Sequence, residues 1–154
     1  VREVEILVDD LSDGSIIQLL EDHLAEMRLY SPPDSIHALD TSAMKDASIT
    51  FWGARIGGEL VACGALKQLS PEHGEIKSMR TDKRFLRRGI AAKLLERILQ
   101  EAQSRAYERV SLETGTNEAF TPAVGLYRRF GFEECGPFGT YRPDPYSRFL
   151  SRAL

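Results

Sequence analysis

Apolar and polar positions along the chain follow two different periods, and the changes of period divide it into elements. VEILVDD, residues 4–10, reads as a strand. GSIIQLLEDHLAEMRLY then carries Ile16, Leu20, Leu24 and Met27 at helical spacing, with Asp13 or Ser15 as its cap. Pro32 and Pro33 end that helix. Residues 35–46 are predicted to form a short second helix. SITFWGARI and ELVACGALKQL are β-rich runs that meet at Gly57-Gly58, the pattern of a hairpin. GEIKSMRT reads as the next strand. Ile90, Leu94, Leu95, Ile98, Leu99 and Ala102 form one apolar stripe down a helix, and RVSLET is a short buried strand. A helix over about residues 119–130, the strand FEEC, a Gly/Pro-rich loop and a last strand near SRFLSRAL complete the order. The expectation is one mixed α/β domain over residues 1–154, with an antiparallel meander early and a strand-loop-helix unit in the middle.

Composition narrows the class. A chain of 154 residues with 42% hydrophobic and 28% charged residues suits one ordinary domain with a full core. Its apolar runs fall far short of the roughly 20 residues that span a bilayer, and VREVEILVDD lacks the apolar core of a signal peptide. No membrane partner and a cytoplasmic location are therefore expected. Cys63 and Cys135 lie far apart and form no CxxC pair, so neither a disulfide framework nor a metal site is expected. Both are read as small buried hydrophobes.

The distribution of charge says more than its total. The formal charge is −3, yet residues 80–93 (RTDKRFLRRGIAAK) carry a net +5, leaving −8 elsewhere. With a pI near 5.7, a nucleic-acid partner is not expected, and a compact anion fits better. A helix start leaves backbone N–H groups unpaired and bears the positive end of the macrodipole, which suits phosphate. Gly89 clears a side chain from the approach, Ala91 and Ala92 keep the next positions small, and Arg87 and Arg88 add forked donors. A solvated basic helix start is the alternative. GxxxxGK[ST] is absent, so a nucleotide P-loop is not.

GEIKSMRTDKRFLRRGIAAKLLERIL, then SLETG, then PAVGLYRRFGF, resemble in order and spacing the GCN5-related N-acetyltransferases (GNAT family) along residues 74–132. Within that family SPPDSIHALD, FW, CGALK, HGEIKSMRT and SLETG resemble the bacterial YsnE-like group. The resemblance implies the acyl-CoA N-acyltransferase fold: a mixed, mostly antiparallel sheet of about six to seven strands flanked by about four helices. It also implies acetyl-CoA as donor cosubstrate and leaves a homodimer open.

Site residues follow from it one by one. The family's Q/R-x-x-G-x-G/A loop falls on residues 86–91, with Leu86 in place of the usual first residue. Gly89, Ile90, Ala91 and Ala92, helped by Arg84, Arg87 and Arg88, would hold the pyrophosphate. Ser78, Met79, Arg80 and Thr81 would pair through their main chain with the pantetheine arm, and Thr114 and Asn117 are further cofactor contacts. Glu75 is the candidate base for the acceptor ammonium, whose pKa near 10.4 demands one; an ion pair with a lysine is the alternative. Strand alternation puts Glu75, Lys77 and Met79 on one face. Tyr127 is the candidate acid for the leaving sulfur, or else a core aromatic. His37, Asp40 and Trp52 are candidates for the acceptor pocket, against capping for the first two and core packing for the third. An acyl-cysteine route through Cys63 and His73 lacks any accompanying signature. The expected activity is acetyl transfer to a primary amine of a small, amino-acid-like acceptor. Protein or peptide acetylation and a non-catalytic acyl-CoA-binding module are the alternatives.

Overall fold

The computed structural model describes residues 3–29, 32 and 43–154. Its strands are β1 (Glu5–Asp9), β2 (Ile49–Ile56), β3 (Glu59–Ser70), β4 (His73–Thr81), β5 (Arg109–Gly115), β6 (Glu133–Cys135) and β7 (Ser147–Ala153). They form a seven-stranded sheet in the order β1-β2-β3-β4-β5-β7-β6. Every neighbouring pair is antiparallel except β4 and β5. Parallel strands need a crossover, and a helix supplies it here. The α-helices among the described residues are three: α1 (Ser15–Met27), α2 (Ile90–Ser104), which joins β4 to β5, and α3 (Thr121–Arg129).

Local chemistry explains the elements. Gly57 and Gly58 both take positive φ, 57° and 85°, and close the β2–β3 hairpin as the two-residue turn that matches strand twist. All six apolar residues of the α2 stripe are buried. Helix α1 starts from Gly14 rather than from a side-chain cap; Asp13 instead accepts from the amide and hydroxyl of Ser15, at 2.9 and 2.7 Å. Most of the helix predicted over 35–46 lies outside the described residues, and Ala43–Lys45 forms a single 3-10 turn. The helix predicted over 119–130 begins with a 3-10 turn, Glu118–Phe120, before α3.

The sheet buries both faces. On one, Cys63, Ala65 and Phe51 pack against Ile16 and Leu20 of α1. On the other, Ile76, Leu112 and Leu150 pack against Leu94, Leu95 and Ile98 of α2 and Val124 and Tyr127 of α3. Cys135 departs from expectation: it is exposed on the edge strand β6, while Cys63 is buried.

Strand β4 departs from simple alternation at the position that matters most. Ala65 pairs with Lys77 but Cys63 pairs with Arg80, so β4 carries one extra residue, and Ser78 sits at the break with φ 57°. Glu75 and Lys77 share a face as predicted. Met79 does not join them; it packs with Ile76 in the core beneath α2, and Arg80 turns to the α1 face, where it pairs with Glu26.

Candidate active site

The parallel pairing of β4 and β5 ends at Ile76 and Leu112. Beyond that point β4 stays with β3 as far as Thr81 and β5 stays with β7 as far as Gly115, so the two strands part. A cleft of about 590 Å³ opens between them. Its walls include residues 75–81 of β4, residues 112–115 of β5, the start of α2, and Leu126 and Tyr127 of α3. The facing strand edges leave backbone amides and carbonyls available to an extended, amide-bearing ligand.

At the mouth stands the glycine loop. Gly89 precedes α2 with φ 75°, and a Cβ built there meets nothing within 4 Å. Arg87 is also left-handed, at φ 64°. The first amides of α2, Ile90 to Ala92, have no partner one turn back and face the same cleft. Open space at Gly89, unpaired amides and adjacent cations form a cradle that fits a pyrophosphate.

The predicted basic residues do not act alike. Arg87 lines the cleft, as do Lys83 and the exposed Leu86. Arg84 is turned to Glu59 and Asp82, at 2.7 and 3.0 Å. Arg84 and Arg88 lie over Phe85, 5.3 and 5.0 Å from its ring centre, and neither lines the cleft. Ser78, Met79, Thr81 and Thr114 line it; so does Arg80, whose guanidinium is held by Glu26. Asn117 is elsewhere, capping the 3-10 turn through a 2.9 Å bond from the Ala119 amide.

Deeper in the cleft lies a carboxylate. Glu75 is only 3% exposed, and its Oε2 accepts from Lys77 Nζ at 3.2 Å and from the Tyr141 hydroxyl at 2.6 Å. Lys77 Nζ also donates to the Tyr141 oxygen at 3.0 Å. Burial, then the charge and hydrogen bond of Glu75, push the Tyr141 phenol well above its ordinary value, so it stays a donor. Tyr127 lines the same cleft, its ring edge-on to Phe132 at 5.8 Å. Its hydroxyl takes no partner among the described residues, and burial raises its phenol too, so it stays protonated and able to donate.

Other sequence candidates fall away from the cleft. Trp52 is 1% exposed and sits in the core under α2, with Arg97 over its ring at 5.8 Å. His37 and Asp40 lie outside the described residues. Cys63 donates to the Ser78 carbonyl at 3.4 Å and burial pushes its thiol up to about 12, while His73 bonds Ser111 at 2.7 Å. That pair is no nucleophile and base. Sequence reasoning missed Tyr141, which lies 66 residues from Glu75, and His23 and Glu26 on α1, which also line the cleft. The only signal for Tyr141 was an aromatic residue in the loop before β7.

A sheet splayed at one parallel junction, with a glycine-led helix at the mouth of the gap, defines the acyl-CoA N-acyltransferase fold. The chain belongs to the Acetyltransferase (GNAT) family, which matches residues 16–132. The "Uncharacterized N-acetyltransferase YsnE" of Bacillus subtilis (strain 168) is 49% identical over 151 residues, covering 98% of this chain and 100% of that one. The "IAA acetyltransferase" of Azospirillum brasilense is 36% identical over 91% of each chain. Among solved structures, a proposed acyl-CoA N-acyltransferase from Klebsiella pneumoniae superposes with a TM-score of 0.81 at 26% identity, covering 98% of this chain and 97% of that one. Family and fold make the protein an N-acetyltransferase, and the family's donor is acetyl-CoA. A family member from Elizabethkingia anophelis, with TM-score 0.67 and 17% identity over 98% of both chains, is solved with acetyl-CoA bound. Among the described residues, no helix is long and apolar enough to cross a membrane.

Proposed function

We propose that the protein transfers the acetyl group of acetyl-CoA to a primary amine of a small, amino-acid-like acceptor by direct attack on the thioester. The observation that carries this reading is a buried carboxylate, Glu75, lining the same cleft as the Gly89-led helix start and Tyr127. The name of the Azospirillum relative also favours a small-molecule acceptor.

Bound acetyl-CoA supplies an electrophilic acyl carbon and a sulfur leaving group. The Gly89 space and the amides of Ile90, Ala91 and Ala92 hold the pyrophosphate, with Arg87 and Lys83 adding charge. The free backbone edges of residues 78–81 orient the pantetheine arm. Glu75 takes the ammonium proton, freeing the nitrogen lone pair for attack. The carbon–nitrogen bond forms as the carbon–sulfur bond breaks. Tyr127 gives its hydroxyl proton to the departing sulfur and regains one from the acylated nitrogen, so one proton per turnover leaves through Glu75 to solvent.

The test is CoA release from acetyl-CoA across a panel of free amino acids, aliphatic amines and polyamines, and lysine-containing peptides, with products read by mass spectrometry. Amine-dependent release with acetylated small molecules supports the reading. Exclusive acetylation of the peptides would replace the acceptor class, and tight CoA binding with no turnover on any amine would leave a binding module.

A further inference from the structure

We propose that Tyr141 is a positioning residue for the base: its hydroxyl, with the Lys77 ammonium, fixes the Glu75 carboxylate through Oε2 and leaves Oε1 to take the acceptor's proton. The inference rests on Glu75 being the base, as proposed above.

The geometry is asymmetric. Both donors converge on Oε2, at 2.6 and 3.2 Å, and Oε1 takes no hydrogen bond from the described residues. The 2.6 Å contact has the length of a charge-assisted O–H···O⁻ bond, the stronger kind. A carboxylate this buried requires such donors to remain charged, and a base must be charged before it can act.

Two independent parts of the chain supply them. Lys77 comes from Glu75's own strand and face, whereas Tyr141 comes from the segment between β6 and β7. Its ring is anchored separately: edge-on to Phe138 at 5.1 Å, tilted against Phe149 at 5.5 Å, with its amide bonded to the Phe138 carbonyl at 3.1 Å. A phenylalanine would satisfy every one of those contacts. The hydroxyl alone is what reaches Glu75. Among the described residues, the other titratable groups near this cluster are His73 on β4, whose imidazole is held below its ordinary value by burial and then by Arg109, and Glu113 on β5, whose charge acts on Tyr141.

The experiment uses the full chain and four variants: Tyr141→Phe, Lys77→Gln, Glu75→Gln and the double variant of Tyr141→Phe with Glu75→Gln. The Glu75 carboxyl carbon is followed by 13C NMR through a pH titration, its resonance assigned by its loss in Glu75→Gln; turnover is measured with the fastest amine of the panel. Tyr141→Phe is expected to move the midpoint of that resonance up by about one pH unit, because the charged form loses a donor. Turnover should fall about tenfold, most at low pH, with unchanged acetyl-CoA affinity and no further loss when added to Glu75→Gln. Lys77→Gln, which removes the second donor to the same oxygen, should move the midpoint the same way and serves if Tyr141→Phe folds poorly. An unmoved midpoint in Tyr141→Phe, or losses that simply multiply in the double variant, would overturn the role of Tyr141 and leave Glu75 as the base. Wild-type turnover in Glu75→Gln would instead overturn the base itself, and the positioning role with it.

Discussion

Arg87 and Gly89, two residues apart at the mouth of the cleft, both hold left-handed backbone, with φ of 64° and 75°. At Gly89 the conformation is free of cost and the space beside it is open. Gly89→Val should lower stability by about 1–2 kcal/mol, since a branched side chain resists that φ. It should also weaken acetyl-CoA by at least about tenfold, since the side chain fills the phosphate approach. Calorimetric titration and thermal melting separate the two effects, and undiminished affinity would remove the helix start from the donor site.

Arg84 and Arg87 are three residues apart and differ in partners. Arg84 is committed to Glu59 and Asp82, whereas Arg87 lines the cleft. Arg87→Gln should raise the KM for acetyl-CoA severalfold at low ionic strength and less at high, because salt screens an exposed charge. Arg84→Gln should leave it nearly unchanged. Equal effects at both positions would mean that general basicity, not placement, attracts the donor.

Glu75→Gln keeps the size of the side chain and removes its proton acceptance. Turnover should fall by about a hundredfold near neutral pH and recover in part above pH 9, where the amine sheds its own proton. A pH–rate profile decides: a uniform loss at every pH assigns Glu75 to structure.

Tyr127→Phe should keep the fold and acetyl-CoA affinity, because the ring contact with Phe132 survives. The kcat should fall by about ten- to a thousandfold, the range for one general acid. Measured where chemistry limits the rate, a wild-type kcat would return Tyr127 to the core.

His23, on the cleft wall, has its imidazole lowered to about 4, first by burial and then by the Arg80 charge. The folded state therefore keeps it neutral while the unfolded chain takes up a proton near pH 6.5. Between those values the unfolded state binds more protons, so stability rises with pH and is lost as pH falls from about 6.5 to 4. The loss is at most about 3 kcal/mol, reduced by the solvent that still reaches the ring. Urea midpoints across this window should fall less steeply in His23→Asn; parallel curves for the two proteins would show that other groups drive the acid sensitivity.

Short-range periodicity determined by itself most of what the chain builds. The α2 stripe, the Gly57-Gly58 hairpin and the glycine-led cationic helix start were all legible, because each depends on residues within one or two turns or a single hairpin. The faces of β4 were legible only as far as Lys77. The extra residue at Ser78 is set by pairing with β3, and that pairing, not local preference, sends Met79 beneath α2 and Arg80 toward Glu26. Trp52 shows the same limit: alternation separates it from Phe51 but cannot say which face meets α2. The widest gap is at the proposed base. Glu75 could be nominated from its place ahead of the phosphate loop, but burial, Lys77's approach and above all the Tyr141 hydroxyl are decided by tertiary structure. A hydrogen bond across 66 residues leaves no periodic trace, because nothing in the intervening sequence has to repeat to bring its two ends together.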